Sequence, residues 1–465
     1  MTNRVIKELN MRQVKMKKDD ILDLKIDSLS PEGGGLAKYD DKTVFVRDAL
    51  PGEEVKAKVL SIHKNTIDTK SVDIIKANPA RVYGSDEKWA NDGYARLANL
   101  KYDQQLKFKE DRIKKLLNKY GFKEVKVNKI LPSPLTKGYR NEIVLPVREV
   151  KGQLEVGFFE PRTGRFIPLN KSIITNEAVV TAVYAVRDIL RKLKVPAYDP
   201  NTNSGFIRDI DVRRSQGKKG MIVTLITHEN DRVDLPEIVG LITEKLHNVN
   251  GVVLNYNPHK TDEIFGKSNI PLWGNDYVED ELDGIQFKIS PKSYFQANGS
   301  QLKPITDLAL SLLDLKDTDK LIDAFCGVGT VGLLAAKKVA AVRGIDAERV
   351  SIQDARENAD TNKIDNATYY NGSVEQVLSR FAKNDEKGTV IMATPPAKGL
   401  SHGFVDAAAK MHPRRIVYGS TNPDTMVRDL ACFKKKGYTC TEITPIDTAP
   451  QTPEVKCFGV LVPED

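Results

Sequence analysis

A strand that ends in an acid and continues into a glycine-rich turn constrains this chain more than any other feature. Residues 321–332 read LIDAFCGVGTVG, so Asp323 closes the strand, and Gly327 and Gly329 stand in the turn that leads into a helix. Glycines let the backbone approach a ligand closely, and a helix N-terminus favours a negatively charged group. The segment therefore predicts a cofactor site in an α/β domain.

Regular alternation of strands and helices follows this turn. Strands are predicted at residues 320–325, 342–345, 390–392 and 416–418, and helices at residues 331–339, 349–358 and 426–436. Repeated βαβ units of this kind form a doubly wound parallel sheet, which binds ligands at the carboxyl ends of its strands. We assign residues 286–465 to this Rossmann-like α/β domain.

The class of cofactor is open at this level. The turn also spells GxGxxG, which fits a dinucleotide such as NAD(P). Asp323 stands before the glycines, where its carboxylate could face the amino group of a methionine moiety, and this favours S-adenosylmethionine. Asp346 closes the next strand and could hold the ribose hydroxyls of either cofactor. A turn with a purely structural role is the remaining alternative.

The first half of the chain has a different pattern. Five short strands are predicted between about residues 18 and 75, around the PEGGG turn at residues 31–35. They are typical of a small OB-like β-barrel, assigned to residues 14–78, a fold often used on nucleic acid. An SH3-like barrel with a protein partner is the alternative. Helices and strands do not alternate regularly over residues 79–285, which predicts an α+β central domain.

Charge and cysteine content narrow the class of partner. The net charge of +8 favours a polyanionic partner such as nucleic acid if the basic residues cluster on one face. If they do not cluster, the charge belongs to an ordinary solvated surface. The cysteines lack metal-ligand spacing, so no metal site is predicted. No apolar run reaches the roughly 20 residues of a membrane helix, and the polar start has no signal-peptide core. We therefore expect a cytoplasmic protein without a membrane segment.

Five ordered segments decide between the cofactors. They read ISPKSYFQAN at 289–298, the glycine turn followed by Asp346, PPAKGL at 395–400, YGSTNPDTMVRD at 418–429 and DTAPQTPEVK at 447–456. In this order they resemble the segments of the uracil-5 RNA methyltransferases that act on tRNA and rRNA. The barrel at residues 18–75 is similar to the TRAM domain of these enzymes, which helps to hold RNA.

The resemblance implies a set of contacts. S-adenosylmethionine would be held by Gln296, Asp323, Gly327, Gly329 and Asp346, and the partner would be rRNA or tRNA. In these enzymes a cysteine thiolate adds to carbon 6 of uracil, carbon 5 takes the methyl group, and a carboxylate then removes the proton from carbon 5. A thiolate, a carboxylate base and an orienting acid are therefore required.

The chain departs from this pattern at the reacting positions. Thr421 stands at the position of the nucleophilic cysteine, and its hydroxyl is far less acidic than a thiol. Thr394 and Ala397 replace the Asp and Arg of the substrate motif. Lys456 occupies the position of the general base, with Glu454 two residues away. These substitutions predict loss of uracil-C5 methylation.

Other groups carry alternatives. Cys457, beside Lys456, is either a substitute thiol or a small buried residue. Many family members hold an iron-sulfur cluster in the central domain, but no cysteine precedes Cys326, so no cluster is expected. Residues with the chemistry to contact RNA, by stacking or by binding phosphate, are Trp89, Tyr94, Tyr102, Lys137 and Arg140, although core packing and solvated charge are the alternative roles.

Three hypotheses on function follow. The first is a family protein that binds RNA and S-adenosylmethionine with doubtful C5 methylation, and the second is an active RNA methyltransferase with a rearranged site. The third is an NAD(P)-dependent oxidoreductase that uses the GxGxxG turn. We expect a monomer in each case.

Overall fold

The computed structural model describes residues 16–84, 95–160, 164–218, 220–229, 233–384 and 388–464. Trp89 and Tyr94 lie outside these residues. The chain divides into two units, Met1–Gln105 with Gln451–Pro453, and Leu106–Pro450 with Glu454–Asp465.

The first unit contains a six-stranded β-sheet. Its strands are β1 (Ile21–Lys25), β2 (Ser28–Leu29), β3 (Gly35–Tyr39), β4 (Lys42–Arg47), β5 (Glu54–Ile62) and β6 (Thr66–Lys76), in the order β1-β5-β6-β4-β3-β2. β1 and β2 are consecutive in the chain but lie at opposite ends of this order, so the sheet must curl to bring its two edge strands together, as in a small barrel. The described residues hold six strands where the sequence predicted five, since the short β2 has no pattern of its own.

A seven-stranded sheet follows α1 (Tyr102–Lys119) in the second unit. Its order is β10-β9-β8-β11-β12-β13-β14, and only β12 and β13 are parallel. The elements in chain order are β8 (Glu142–Val150), β9 (Gln153–Phe159), β10 (Phe166–Pro168), α2 (Glu177–Lys192), β11 (Ile207–Arg214), β12 (Met221–Thr227), α3 (Leu235–Lys245), β13 (Val249–Tyr256) and β14 (Ser268–Gly274).

The hairpin β15 (Val278–Leu282) and β16 (Ile285–Ile289) leads through α4 (Leu302–Leu313) into an eight-stranded sheet. The sheet has the order β19-β18-β17-β20-β21-β23-β22-β7. Its elements are β17 (Lys320–Ala324), α5 (Thr330–Ala335), β18 (Ala341–Asp346), α6 (Arg349–Thr361), β19 (Ala367–Asn371), α7 (Val374–Lys383), β20 (Val390–Ala393), α8 (His402–Lys410), β21 (Arg415–Ser420), α9 (Pro423–Lys434), β22 (Tyr438–Ile446) and β23 (Lys456–Pro463).

The edge of this sheet comes from far upstream. β7 (Lys126–Val127) precedes the seven-stranded sheet in the chain but pairs in parallel with β22. The region predicted as a separate central domain therefore contributes a strand to the α/β sheet, and the predicted boundaries at 78/79 and 285/286 stay predictions. In the described part of the chain, no helix has the length and apolar character needed to cross a membrane.

Candidate cofactor and substrate site

The strand order of the α/β sheet fixes where a ligand can bind. From β17 the chain builds outward to β18 and β19 on one side, and then to β20 and β21 on the other. The crevice at such a switch point, at the carboxyl ends of the strands, is the usual ligand site of doubly wound sheets. We call the carboxyl ends of β17 to β19 the acidic half of this edge. The substituted half comprises the carboxyl ends of β20 and β21 and the start of the antiparallel β23.

Asp323 is the innermost group of the acidic half. It is buried at the end of β17, and its Oδ2 accepts a hydrogen bond of 3.0 Å from the backbone N–H of Gly332 in α5. Burial raises the pKa of this carboxyl to about 7, and the nearby charge of Asp346 acts in the same direction. Asp323 is thus poised to gain from a cationic ligand group.

The glycine turn has a backbone that other residues adopt only with strain. Gly327 and Gly329 have φ of 55° and 84°. A Cβ on Gly329 would lie 2.6 Å from the hydroxyl of Tyr369, which is buried beneath the turn without a hydrogen-bond partner among the described residues. Phe325, although not a glycine, has φ of 64°. Such strain is common at ligand sites.

Asp346 and Gln296 flank this turn. The two carboxylate oxygens of Asp346 accept hydrogen bonds from the N–H groups of Gly327 (3.0 Å) and Glu348 (2.8 Å), and each keeps acceptor capacity. The segment that carries Gln296 meets the turn, since a Cβ on Gly327 would lie 3.2 Å from the carbonyl of Tyr294. The predicted cofactor residues are therefore brought together.

Sequence reasoning missed the end of the third strand. Ser373 follows β19 and is the N-cap of α7, but its side chain makes no capping hydrogen bond. Its hydroxyl is available at the same edge as Asp346. The missed signal was its position after a strand in a regular βαβ series.

The substituted half brings the two proposed reacting positions side by side. The antiparallel ladder of β21 and β23 pairs Ser420 with Cys457. Thr421 and Lys456 are the next residues beyond this pair, so they are neighbours across the strands. Thr421 is exposed and Lys456 is buried.

Thr394 reaches the same place from β20. Its Oγ1 donates a hydrogen bond to the carbonyl of Phe325 (3.3 Å), so its methyl group is left to face β21. A Cβ on Gly419 would lie 2.8 Å from the ring of Phe458 and 3.0 Å from the Thr394 methyl. Only glycine fits between these groups. The ammonium of Lys456 lies 5.4 Å from the centre of the Phe458 ring.

The loop of residues 395–400 is held by α9. Asn422 and Thr425 both donate side-chain hydrogen bonds to the carbonyl of Ala397, at 3.2 and 3.1 Å. Arg428 donates to the carbonyl of Lys398 at 2.9 Å. The Ala397 side chain itself is exposed and offers no polar atom.

A buried ion pair supports the approach to β23. The ammonium of Lys109 in α1 donates to Asp447 Oδ1 at 2.6 Å and to the carbonyl of Ala449 at 3.0 Å. Both charged side chains are fully enclosed. This ion pair anchors the segment around Asp447, which leads from β22 into β23. It therefore helps to position Lys456 in the substituted half.

The cysteines differ in access. Cys326, Cys440 and Cys457 are buried, whereas Cys432 is half-buried. Burial raises the pKa of the Cys457 thiol to about 12. A thiol in this state is a poor nucleophile at neutral pH.

The upstream RNA candidates are less informative. Tyr102 is half-buried at the start of α1, and Lys137 is exposed. Arg140 is half-buried, and its Nε donates to the carbonyl of Glu142 at 2.8 Å. Their contacts with RNA stay predictions.

Comparison with known families identifies the chain. The tRNA (uracil-5-)-methyltransferase model matches residues 101–464, and the TRAM domain model matches residues 18–68. The chain belongs to the tRNA (uracil-5-)-methyltransferase family. An uncharacterized RNA methyltransferase of Lactobacillus johnsonii is 45% identical over 446 residues, covering 96% of this chain and 99% of the relative. One of Streptococcus agalactiae serotype V is 35% identical over 448 residues, with the same shares.

A solved structure has the same fold as this methyltransferase-family chain. It is the tRNA (uracil-54, C5)-methyltransferase of Pyrococcus abyssi in complex with S-adenosyl-L-homocysteine, with a TM-score of 0.72 at 24% identity, covering 95% of this chain and 100% of that one. The predicted family and fold class are therefore confirmed. Membership in this family leaves no support for the oxidoreductase hypothesis.

Proposed function

We propose that this protein binds RNA and S-adenosylmethionine but has lost methylation of uracil carbon 5. The observation that carries the proposal is the convergence of Thr394, Thr421 and Lys456 in one place, beside an acidic half that keeps its groups. Because the three substituted residues lie at one place, we infer that they affect the same step, the methylation of carbon 5.

The acidic half fits S-adenosylmethionine. Asp323 suits the amino group of the methionine moiety, and Asp346 suits ribose hydroxyls because both its oxygens retain acceptor capacity. Gln296 and Ser373 add polar groups at its margin. When bound, this cofactor supplies an activated methyl group. The residues of the chain bind and orient it.

The substituted half lacks the groups that uracil-C5 chemistry needs. A hydroxyl at Thr421 is too weak an acid to form the attacking anion at neutral pH, and Lys456 is a cation where a carboxylate base is required. Thr394 has its hydroxyl committed to Phe325 and cannot replace an acid. Methyl transfer to carbon 5 therefore has no nucleophile and no base.

A rearranged site finds little support. Cys457 would have to supply the thiolate, but its side chain is fully buried where β23 pairs with β21 and β22. Glu454 is exposed, and its position two residues before Lys456 does not provide a nucleophile.

Two measurements test the proposal. Calorimetry with S-adenosylmethionine should show binding, and NAD should show none. Incubation with 5-fluorouridine RNA, which traps the covalent adduct of active enzymes, should yield no adduct on denaturing gels. An adduct with the wild-type chain would contradict the proposal, and its loss in Cys457→Ala would then favour the rearranged site.

A further inference from the structure

Lys456 is a buried cation without a counter-ion. Its side chain is 7% exposed at the start of β23, and no carboxylate or hydrogen-bond acceptor among the described residues contacts its ammonium. Among the described residues, the face of the Phe458 ring lies 5.4 Å from the ammonium. A desolvated ammonium with no acceptor costs free energy, so its retention requires another explanation.

Lys109 shows what a structural lysine looks like in the same fold. It is also buried, but its ammonium donates to a carboxylate at 2.6 Å and a carbonyl at 3.0 Å. The chain therefore does supply partners for a buried lysine with a structural role. At Lys456 the described residues supply none.

Apolar groups line the sheet beside Lys456. Phe458 presents its ring, Thr394 presents its methyl group, and Gly419 leaves the space between them. Lys456 is not wholly enclosed, since 7% of its surface remains accessible to solvent. A partly accessible ammonium beside apolar groups can donate a hydrogen bond to a ligand. It suits a ligand that brings a single oxygen acceptor.

We propose that Lys456 is an RNA-binding residue whose ammonium donates a hydrogen bond to an oxygen of the nucleotide that enters the substituted half. This inference rests on the proposed function, in which the protein binds RNA. The oxygen belongs either to a phosphate or to a base carbonyl. Burial lowers the pKa of Lys456 to about 8, and no charged group contributes to this shift, so the ammonium remains the main form at neutral pH.

The test compares Lys456→Met with Lys320→Met. Methionine has a similar length without the charge, and Lys320 is exposed at the start of β17, at the opposite edge of the same sheet. Binding of a short fluorescein-labelled single-stranded RNA is followed by anisotropy at several salt concentrations. We expect Lys456→Met to weaken binding by roughly tenfold or more, as for a lost charged hydrogen bond, and Lys320→Met to leave it unchanged.

The salt dependence separates the two sources of oxygen. Loss of one phosphate contact lowers the slope of log affinity against log salt by roughly 0.7 for a single strand. A base carbonyl gives weaker binding with an unchanged slope. Equal affinity of Lys456→Met and the wild type overturns the inference.

Thermal unfolding excludes a merely structural role. Removing an unpaired buried charge should raise the Tm of Lys456→Met while RNA binding falls. A lower Tm would mean that Lys456 supports the fold, and would overturn the inference. If the wild-type chain does not bind RNA, the proposed function fails and this inference falls with it. If the wild type binds and the variant binds equally, only this inference fails.

Discussion

The two halves of the α/β sheet edge satisfy their charged groups differently. In the acidic half, Asp323 and Asp346 accept hydrogen bonds from backbone N–H groups of the adjoining turns. In the substituted half, Lys456 has no such partner among the described residues. Because every residue except proline supplies a backbone N–H, these two carboxylates stay hydrogen-bonded whichever other residues occupy the turns. The ammonium of Lys456 has no comparable backbone partner among the described residues.

Restoring the reacting groups should have the largest effect. We expect the combined variant Thr394→Asp, Ala397→Arg, Thr421→Cys and Lys456→Glu to form a covalent adduct with 5-fluorouridine RNA, at a rate roughly 10³-fold or more above the wild type. The reason is that a thiolate and a carboxylate base are both regained. Adduct formation is measured on denaturing gels.

The control for this variant keeps Thr421 and carries the other three changes. Without the thiol it should form no adduct. If the full variant also forms no adduct, the loss of activity has causes other than the four substituted residues.

Breaking the buried pair beneath the substituted half should cost the most stability. Lys109→Met leaves Asp447 charged and unpaired in the interior, and we expect a loss of about 3–5 kcal/mol in the free energy of unfolding. Urea denaturation followed by fluorescence measures it. Lys114→Met is the matched control, because Lys114 in the same helix is exposed and pairs with Glu110 at the surface. Equal midpoints for the two variants would show that the pair does not support this half.

The acidic half should be sensitive to pH through Asp323. In the unfolded chain this carboxyl ionises near pH 4, whereas burial raises its pKa to about 7 in the folded chain. Below pH 4 both states are protonated, so Asp323→Asn should match the wild type. As the pH rises from 4 to 7 the wild type loses stability, because only the unfolded state gives up the proton.

Above pH 7 the difference should be constant, with Asp323→Asn more stable by up to about 4 kcal/mol. Urea midpoints across this range measure it. The affinity of the wild type for S-adenosylmethionine should rise with pH up to about 7, because the carboxylate is the form of Asp323 that binds the cofactor. The affinity of Asp323→Asn should not show this pH dependence, because asparagine does not titrate. A constant stability difference at all pH values would contradict the assignment.

The smallest expected effect concerns the loop of the substituted half. Asn422 caps α9 by accepting from the N–H of Asp424 at 3.1 Å, and it also donates to Ala397. Asn422→Ala should therefore lower the free energy of unfolding by about 1 kcal/mol. Ser373→Ala, at a cap position without a capping hydrogen bond, should leave it unchanged. If both variants lose the same free energy of unfolding, the capping hydrogen bond is not the cause of the loss.

Local patterns explain what the sequence predicted well. Asp323, the glycine turn and Asp346 belong to consecutive strand, turn and helix segments, and parallel topology places the strand ends on one edge. Thr394, Thr421 and Lys456 were singled out by resemblance, and their meeting follows from the order of β20, β21 and β23. Their roles stay predictions.

Other features depend on packing that no local pattern encodes. Lys109 and Asp447 are 338 residues apart, so their pairing has no signal in either segment. The two residues of β7 are too few for a periodic pattern, although they complete the sheet. The buried hydroxyl of Tyr369 beneath Gly329 depends on how β19 packs against the turn.

The position of β23 also bears on how the chain folds. β23 follows β21 and β22 in synthesis but lies between them in the sheet, antiparallel to both. A nascent chain that has completed β22 must therefore leave a gap beside β21 until β23 is made, and non-local pairing of this kind is slow. Lys456 and Cys457 reach their places only in that last step. The strands of the acidic half are made earlier, so this half can form before the substituted half is complete.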